Sequence, residues 1–125
     1  MKKINYGKHT IDESDIESVV SALKSENLTQ GPLIESFERA LGEKFSAKYV
    51  CATSNGTAAL HLSGIALGWN EGDIVITTAL TFIASINSIL YCNATPDLVD
   101  IDLKTYCINL DSLENKLQKY QMIGK

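Results

Sequence analysis

The chain has 125 residues, of which 45% are apolar, and this is enough for one modest core and no more than one domain. Its net charge of -4 at pH 7 argues against binding nucleic acid or an anionic membrane surface, because both need clustered Lys and Arg. No apolar run approaches the roughly 20 residues of a transmembrane helix, and no apolar signal core follows Met1. We therefore expect a cytoplasmic protein whose partners are small molecules or proteins.

Two amphipathic helices are predicted at the start of the chain. Thr10 and Glu13 form a capping-box pair ahead of an apolar period that predicts a helix over about 12–24. A polar loop follows, and Pro32 is typical of the first turn of a second helix, which Gly42 is expected to end. Each helix carries an apolar stripe on the side expected to face inward.

From residue 49 onward, predicted strands alternate with predicted helices. The strands are expected at 49–52, at 73–77 and through 98–101, and the helices at 57–67, at 82–91 and at about 111–120. Strands that alternate with helices of this length form a largely parallel sheet covered by helices on both faces. The sequence therefore predicts an α/β fold with three layers and a mostly parallel sheet.

The segment 48–62 is the most informative, because an apolar strand ends in small polar residues and an apolar helix starts at once. The first-turn N–H groups of Gly56, Thr57 and Ala58 have no partner within such a helix, and the helix dipole favours negative charge beside them. Such a turn is suited to bind a phosphate. An ordinary turn capped by Ser54 or Asn55 explains the same residues equally well, so both interpretations stay open.

Polar residues also follow the other two predicted strands, at the edge of a parallel sheet where ligands usually bind. Asp100 and Asp102 are interpreted as ordinary strand-end and turn chemistry. Phe82 opens a predicted helix beside the expected phosphate turn. A buried core position is the simpler interpretation of Phe82, and stacking on a planar cofactor is the alternative.

The three cysteines, Cys51, Cys92 and Cys107, are widely spaced and lie in apolar or strand-like contexts. This pattern favours reduced structural thiols over disulfides or metal ligands. We therefore expect no metal site.

Seven short motifs follow one another in an order and at a spacing that are specific as a series, although no single motif is. They are Leu28-Thr29-Gln30-Gly31-Pro32, Phe37-Glu38, Lys48-Tyr49, Asn55-Gly56-Thr57-Ala58-Ala59-Leu60, Gly72-Asp73, Thr81-Phe82-Ile83-Ala84-Ser85 and Val99-Asp100-Ile101-Asp102. Over nearly the whole chain, the series resembles the amino-terminal part of the DegT/StrS nucleotide-sugar aminotransferases. The resemblance implies the first part of the large domain of the aspartate-aminotransferase fold (PLP fold type I), with pyridoxal 5'-phosphate as cofactor.

The resemblance also implies roles for particular residues. Gly56 and Thr57 would hold the cofactor phosphate, and Phe82 would stack on the pyridine ring. The residues expected to approach the sugar nucleotide are Tyr6, Asn27, Leu28, Thr29, Gln30 and Asn55. Asn55 departs from the Ser often found at its position in the family. Segment 1–32 would then form a helix and substrate loop, and segment 33–125 the incomplete first part of the cofactor-binding domain.

Within the family, the fullest resemblance is to the enzymes of pseudaminic acid synthesis. It implies transfer of an amino group from glutamate to C4 of a UDP-4-keto-6-deoxy-N-acetylhexosamine, by a homodimer when the protein is full length. Enzymes that aminate different nucleotide-linked keto sugars share much of this segment, so their substrates stay open as well.

The family mechanism needs a lysine that forms a Schiff base with the cofactor and a carboxylate that keeps the pyridine nitrogen protonated. The lysines of this chain lie in polar contexts, so we assign none of them to catalysis and expect both groups beyond this chain. The chain is thus expected to be the first part of a longer enzyme and inactive alone. A non-catalytic remnant, or a regulatory module that binds the cofactor or phosphate, is also consistent with these residues.

Overall fold

The computed structural model describes residues 7–29 and 31–122, which include five helices and two strands. In chain order these are α1 (Glu13–Leu23), α2 (Pro32–Phe45), α3 (Gly56–Ala66), β1 (Ile74–Thr78), α4 (Ala84–Tyr91), β2 (Thr95–Val99) and α5 (Leu110–Met122). Internal contacts divide the chain into two compact units, Met1–Ala52 and Thr53–Lys125. The functional division at residue 32 stays a prediction.

Both helices predicted in the first unit are present, and α2 begins at Pro32 as expected, but the predicted cap of α1 and the predicted end of α2 are wrong. Asp12, not Thr10, caps α1: its Oδ1 atom accepts the N–H groups of Ser14 at 2.9 Å and of Asp15 at 3.2 Å. Asp15 completes the capping box by accepting the N–H of Asp12 at 3.1 Å. The predicted pair of Thr10 and Glu13 is wrong because the chain reaches helical geometry only after Asp12.

The end of α2 also lies beyond the predicted one. Gly42 lies inside the helix, which continues to Phe45. Ser46 then takes a left-handed conformation with φ of 52°, and the N–H of Ala47 donates to the carbonyl of Gly42 at 2.9 Å. A left-handed residue that closes this bond ends a helix without needing glycine at that position.

The strand predicted at 49–52 is wrong, because these residues form no strand and pair with no other strand in the part of the chain that the structure describes. A strand requires its N–H and C=O groups to pair with a neighbouring strand. The N–H of Ala52 instead donates to the Glu38 carboxylate at 2.7 Å, within the first unit.

The second unit contains a parallel sheet, as the sequence predicts. β1 pairs with β2 in the register that joins Ile74 to Thr95 and Thr78 to Val99. The connection runs through α4, which packs on both strands and also on α3. The α/β class and the parallel sheet are therefore confirmed. The third predicted strand lies earlier in the chain than expected, because β2 ends at Val99 and Ile101 forms only an isolated antiparallel bridge with Ile108.

The core of the second unit lies where α3 and α4 meet. Ile89 is 1% exposed, and Cys92 and Gly64 are also buried. A Cβ atom added at Gly64 would lie 2.6 Å from the Trp69 ring and 2.9 Å from the sulfur of Cys92. The absence of a side chain at Gly64 therefore lets Trp69 and Cys92 pack directly against the backbone of α3, which any larger residue would prevent. All three cysteines are free thiols, as the sequence predicts; Cys92 is buried, whereas Cys51 and Cys107 are exposed.

A cluster of three polar side chains joins α5 to β2. Lys116 donates to the Asp97 carboxylate at 2.7 Å and to the carbonyl of Leu98 at 2.6 Å. The Tyr120 hydroxyl donates to the other oxygen of Asp97. The bonds from Lys116 and then from Tyr120 lower the pKa of Asp97 to about 2, and the bond to Asp97 raises the pKa of Tyr120.

We expect Gly64→Ala to lower the free energy of unfolding by about 1–3 kcal/mol, because the new methyl group overlaps Trp69 and Cys92. Gly56→Ala is the matched control in the same helix, since a Cβ there meets nothing within 4 Å. Urea unfolding followed by circular dichroism measures both. Equal stability of the two variants would contradict the packing at the junction of α3 and α4.

The Asp97 cluster predicts a specific pH dependence of stability. A folded-state pKa of about 2 against an ordinary value of 3.8 stabilises the fold above about pH 4, and this contribution is lost as the pH falls through 2. We expect Asp97→Asn to cost about 1 kcal/mol at pH 7, after allowing for solvent screening, and the difference from wild type to shrink progressively as the pH falls to about 2. Chemical unfolding at several pH values, with the exposed Glu114→Gln as control, measures it. A difference independent of pH would contradict the ionised cluster.

Candidate functional site

The first turn of α3 begins at a residue whose side chain and backbone both accept hydrogen bonds from the helix. Asn55 has an extended backbone, with φ of -168° and ψ of 169°. Its side-chain Oδ1 atom accepts the N–H of Ala58 at 2.9 Å, and its carbonyl accepts the N–H of Ala59 at 3.1 Å. Asn55 is therefore the N-cap of α3, as the capped-turn interpretation predicts. The Asn55 side-chain nitrogen also donates to the Ser54 hydroxyl oxygen at 3.2 Å, a bond that no sequence pattern predicted.

Two backbone donors of the same turn keep their hydrogens available. Within residues 7–29 and 31–122, no group accepts a hydrogen bond from the N–H of Gly56 or of Thr57, and the Thr57 hydroxyl has no partner either. The first turn of α3 carries no acidic residue, and the space beside Gly56 is open. Two N–H groups, a hydroxyl and the positive end of a helix dipole form a donor set suited to an anion.

The geometry corrects one part of the phosphate prediction. The helix begins at Gly56, as that prediction requires, but the expected third donor is wrong because the Asn55 side chain already accepts the N–H of Ala58. Capping and anion binding are therefore compatible at this turn, since they use different N–H groups. The roles of Gly56 and Thr57 toward a cofactor phosphate stay predictions.

Phe82 lies in the loop between β1 and α4, two residues before the helix starts. Its side chain is 72% exposed, so the simpler interpretation of Phe82 as a core residue is wrong. Beside it, the hydroxyls of Thr81 and Ser85 lie 2.9 Å apart and join the loop to the first turn of α4. An exposed aromatic ring on the connection that follows β1 is available to a ligand, and its stacking role stays a prediction.

The residues expected to approach the sugar nucleotide are distributed over both units. Asn27, Leu28 and Thr29 are exposed in the loop between α1 and α2, in the first unit, whereas Asn55 belongs to the second. Tyr6 and Gln30 lie outside the described residues. Within the second unit, Asn55, Gly56 and Thr57 lie next to one another at the start of α3.

The polar residues after β2 serve the local backbone, as the sequence predicts. Asp100 accepts the N–H of Ile101 at 2.8 Å. Asp102 accepts the N–H groups of Thr105 at 2.8 Å and Lys104 at 2.9 Å, and these bonds, with that from Thr105 first, lower the pKa of Asp102. Both aspartates thus organise the turn that follows the sheet.

Neither a metal centre nor a membrane-spanning helix occurs in the described part of the chain. No cluster of three or more His, Cys, Asp or Glu side chains there could hold a metal ion. No helix among residues 7–29 and 31–122 combines the length and apolar character that crossing a bilayer requires.

Comparison with protein families identifies the class. The sequence profile of the DegT/DnrJ/EryC1/StrS aminotransferase family matches residues 9–122. The chain belongs to this family, and the resemblance seen in its motifs is confirmed.

Individual relatives share this part of the sequence at moderate identity. The UDP-4-amino-4,6-dideoxy-N-acetyl-beta-L-altrosamine transaminase of Campylobacter jejuni serotype O:23/36 is 44% identical over 98 residues, which are 78% of this chain and 26% of the relative. The GDP-perosamine synthase of Escherichia coli O157:H7 is also 44% identical, over 71% of this chain and 24% of the relative. The chain thus spans about a quarter of the length of these curated relatives.

Solved structures agree with the α/β assignment. A protein of Streptococcus pneumoniae described as a sugar aminotransferase, solved in its PLP form, superposes with a TM-score of 0.81 at 34% identity. The superposition covers 91% of this chain and 29% of that one. The same protein is also known in a PMP form. These neighbours confirm the fold class predicted from the sequence.

The donor set at the start of α3 can be tested with an anion alone. Gly56→Pro removes one N–H donor at the first helical position, where proline is tolerated and where the extended backbone of Asn55 suits a following proline. We expect it to weaken the binding of inorganic phosphate about tenfold, because the lost N–H group donates to a charged acceptor, and such hydrogen bonds contribute more binding free energy than neutral ones. Titration followed by amide chemical shifts measures it. Gly56→Ala, which keeps the N–H, should bind like wild type; equal affinities of all three proteins would contradict the donor set.

Proposed function

We propose that this chain is the cofactor-phosphate and substrate-loop segment of a PLP-dependent nucleotide-sugar aminotransferase. In the proposed reaction, an amino group moves from glutamate to C4 of a UDP-4-keto-6-deoxy-N-acetylhexosamine, in the synthesis of pseudaminic acid or of a surface polysaccharide. The family match over residues 9–122 supports the aminotransferase class. The relative from C. jejuni, whose name specifies a UDP-linked 4-amino sugar, supports the substrate.

The observation that carries this proposal is the turn at the start of α3. Gly56 and Thr57 offer two N–H groups and a hydroxyl at the positive end of the helix, and no carboxylate lies in that turn to repel an anion. This donor chemistry fits the phosphate of pyridoxal phosphate. The exposed ring of Phe82 offers a flat apolar surface for the pyridine.

When bound, the cofactor supplies an electron sink for the carbon from which a proton is removed. The residues of this chain hold and orient it: Gly56 and Thr57 bind the phosphate, and Phe82 limits the tilt of the ring. The exposed loop residues Asn27, Leu28 and Thr29, with Tyr6 and Gln30, are proposed to contact the sugar nucleotide. Asn55 is not included, because its side-chain amide is already bonded to Ser54 and to the N–H of Ala58.

No lysine of this chain is proposed to bond to the cofactor. Lys116, the one that forms an ion pair within the described residues, is committed to Asp97 and to the carbonyl of Leu98. A lysine whose amino group is bonded to a carboxylate and to a backbone carbonyl is not free to bond to a cofactor. We therefore propose that the chain alone does not catalyse transamination, and that catalysis belongs to a cytoplasmic homodimer containing the whole family domain.

A second substrate class has comparable support. The GDP-perosamine synthase of E. coli O157:H7 is as similar as the transaminase of C. jejuni, at 44% identity, which favours a GDP-linked sugar to the same degree. The two candidates share the cofactor and the amino transfer and differ in the nucleotide. Their discrimination therefore requires an assay with both substrates.

A chimera tests the proposal and separates the two candidates. The first quarter of the C. jejuni transaminase is replaced by the matching residues of this chain, and product is measured with glutamate and either the UDP-linked or the GDP-linked 4-keto sugar. We expect the chimera to aminate the UDP-linked sugar, because its remaining three quarters supply the lysine, whereas the 125-residue chain alone forms no product.

The same chimera carrying Gly56→Pro is expected to lose about tenfold in cofactor affinity, with Gly56→Ala as control. Product formed only from the GDP-linked sugar would favour the second candidate. Turnover by the chain alone would show that one of its own lysines is catalytic. A correctly folded chimera that binds no cofactor would contradict the proposal and favour a non-catalytic remnant.

A further inference from the structure

We propose that Asn55 is a positioning residue that determines which backbone N–H groups of α3 a bound phosphate uses. Its side chain accepts the N–H of Ala58 and thereby directs the anion to the N–H groups of Gly56 and Thr57. The inference rests on the proposed cofactor site and adds to it: Asn55 acts through the helix rather than by contact with the sugar nucleotide.

The start of α3 offers a limited number of donors. An uncapped first turn presents the N–H groups of its first three residues, here Gly56, Thr57 and Ala58. The Oδ1 atom of Asn55 accepts the third of these at 2.9 Å, which removes it from any ligand. The donors left are the two at the very start of the helix, together with the Thr57 hydroxyl.

The Asn55 side chain is held at both ends of its amide. The amide nitrogen donates to the Ser54 hydroxyl at 3.2 Å while the amide oxygen accepts from Ala58. The Thr53 hydroxyl donates to the Asn55 carbonyl at 3.1 Å, which fixes the backbone of the same residue. These bonds orient the amide oxygen toward the helix and leave it poorly placed to turn toward a substrate.

The charge of the cap also matters for an anion. Aspartate caps helices as well as asparagine does, and Asp12 caps α1 in this chain together with two acidic residues in the first turn. At α3 the cap is neutral and the first turn has no acidic residue. A neutral cap satisfies the helix without placing a negative charge beside the phosphate dianion, so Asn55 combines capping with anion binding.

Amide chemical shifts of the chain provide the test, with pyridoxamine phosphate as probe, because its amine cannot condense with surface lysines. In wild type we expect the Gly56 and Thr57 amides to shift on titration and the Ala58 amide to stay in place. In Asn55→Ala the Ala58 amide should join the responding set. Asn55→Ser, which keeps an acceptor oxygen, should restore the wild-type pattern.

Asn55→Asp provides a second measurement that does not depend on the stability of the alanine variant. It retains the cap but adds a negative charge, and we expect about fivefold weaker binding of the probe with Ala58 still unresponsive. Unchanged affinity of Asn55→Asp, or an Ala58 amide that responds in wild type as strongly as Thr57, would overturn the inference while leaving the phosphate site intact. If no amide of this turn responds in wild type, the cofactor site itself is wrong, and the inference fails with it.

Discussion

The proposed site depends on the backbone N–H groups that every helix leaves without partners in its first turn. At α3 these groups are divided between two tasks: Asn55 accepts one, and the N–H groups of Gly56 and Thr57 remain available. A helix that satisfied all of its own donors could not bind a phosphate there, and one that satisfied none would lose the stability of its cap. The function proposed for this chain therefore requires a first turn in which one N–H group is capped and others are left for the phosphate.

The rest of the second unit holds that helix start in place. α3 packs on α4 through the close approach at Gly64, and α4 connects and covers the two parallel strands. α5 is joined to β2 by the bonds of Lys116 and Tyr120 to Asp97. The loop that carries Phe82 follows directly from β1, so a packed core supports each of the segments proposed to bind the cofactor.

Local sequence patterns predict most elements of the fold, because apolar periodicity and turn residues act over a few residues. The helix that starts at Gly56 and the strands around Val75 and Leu98 follow from such patterns. The strand expected at 49–52 is wrong because strand formation needs a pairing partner, which periodicity does not encode. Capping by Asn55 and phosphate binding require the same small polar residues, so the sequence leaves both interpretations open. Only the coordinates show that the Asn55 side chain accepts the N–H of Ala58 and not those of Gly56 and Thr57.

The most direct test of the phosphate site is a crystal structure of this protein grown with pyridoxamine phosphate. We expect phosphate density within hydrogen-bonding distance of the Gly56 and Thr57 nitrogens and the Thr57 hydroxyl, with the Ala58 N–H still donating to Asn55. Phosphate density at another part of the surface, with these donors unoccupied, would contradict the claim that the start of α3 is the cofactor-phosphate site.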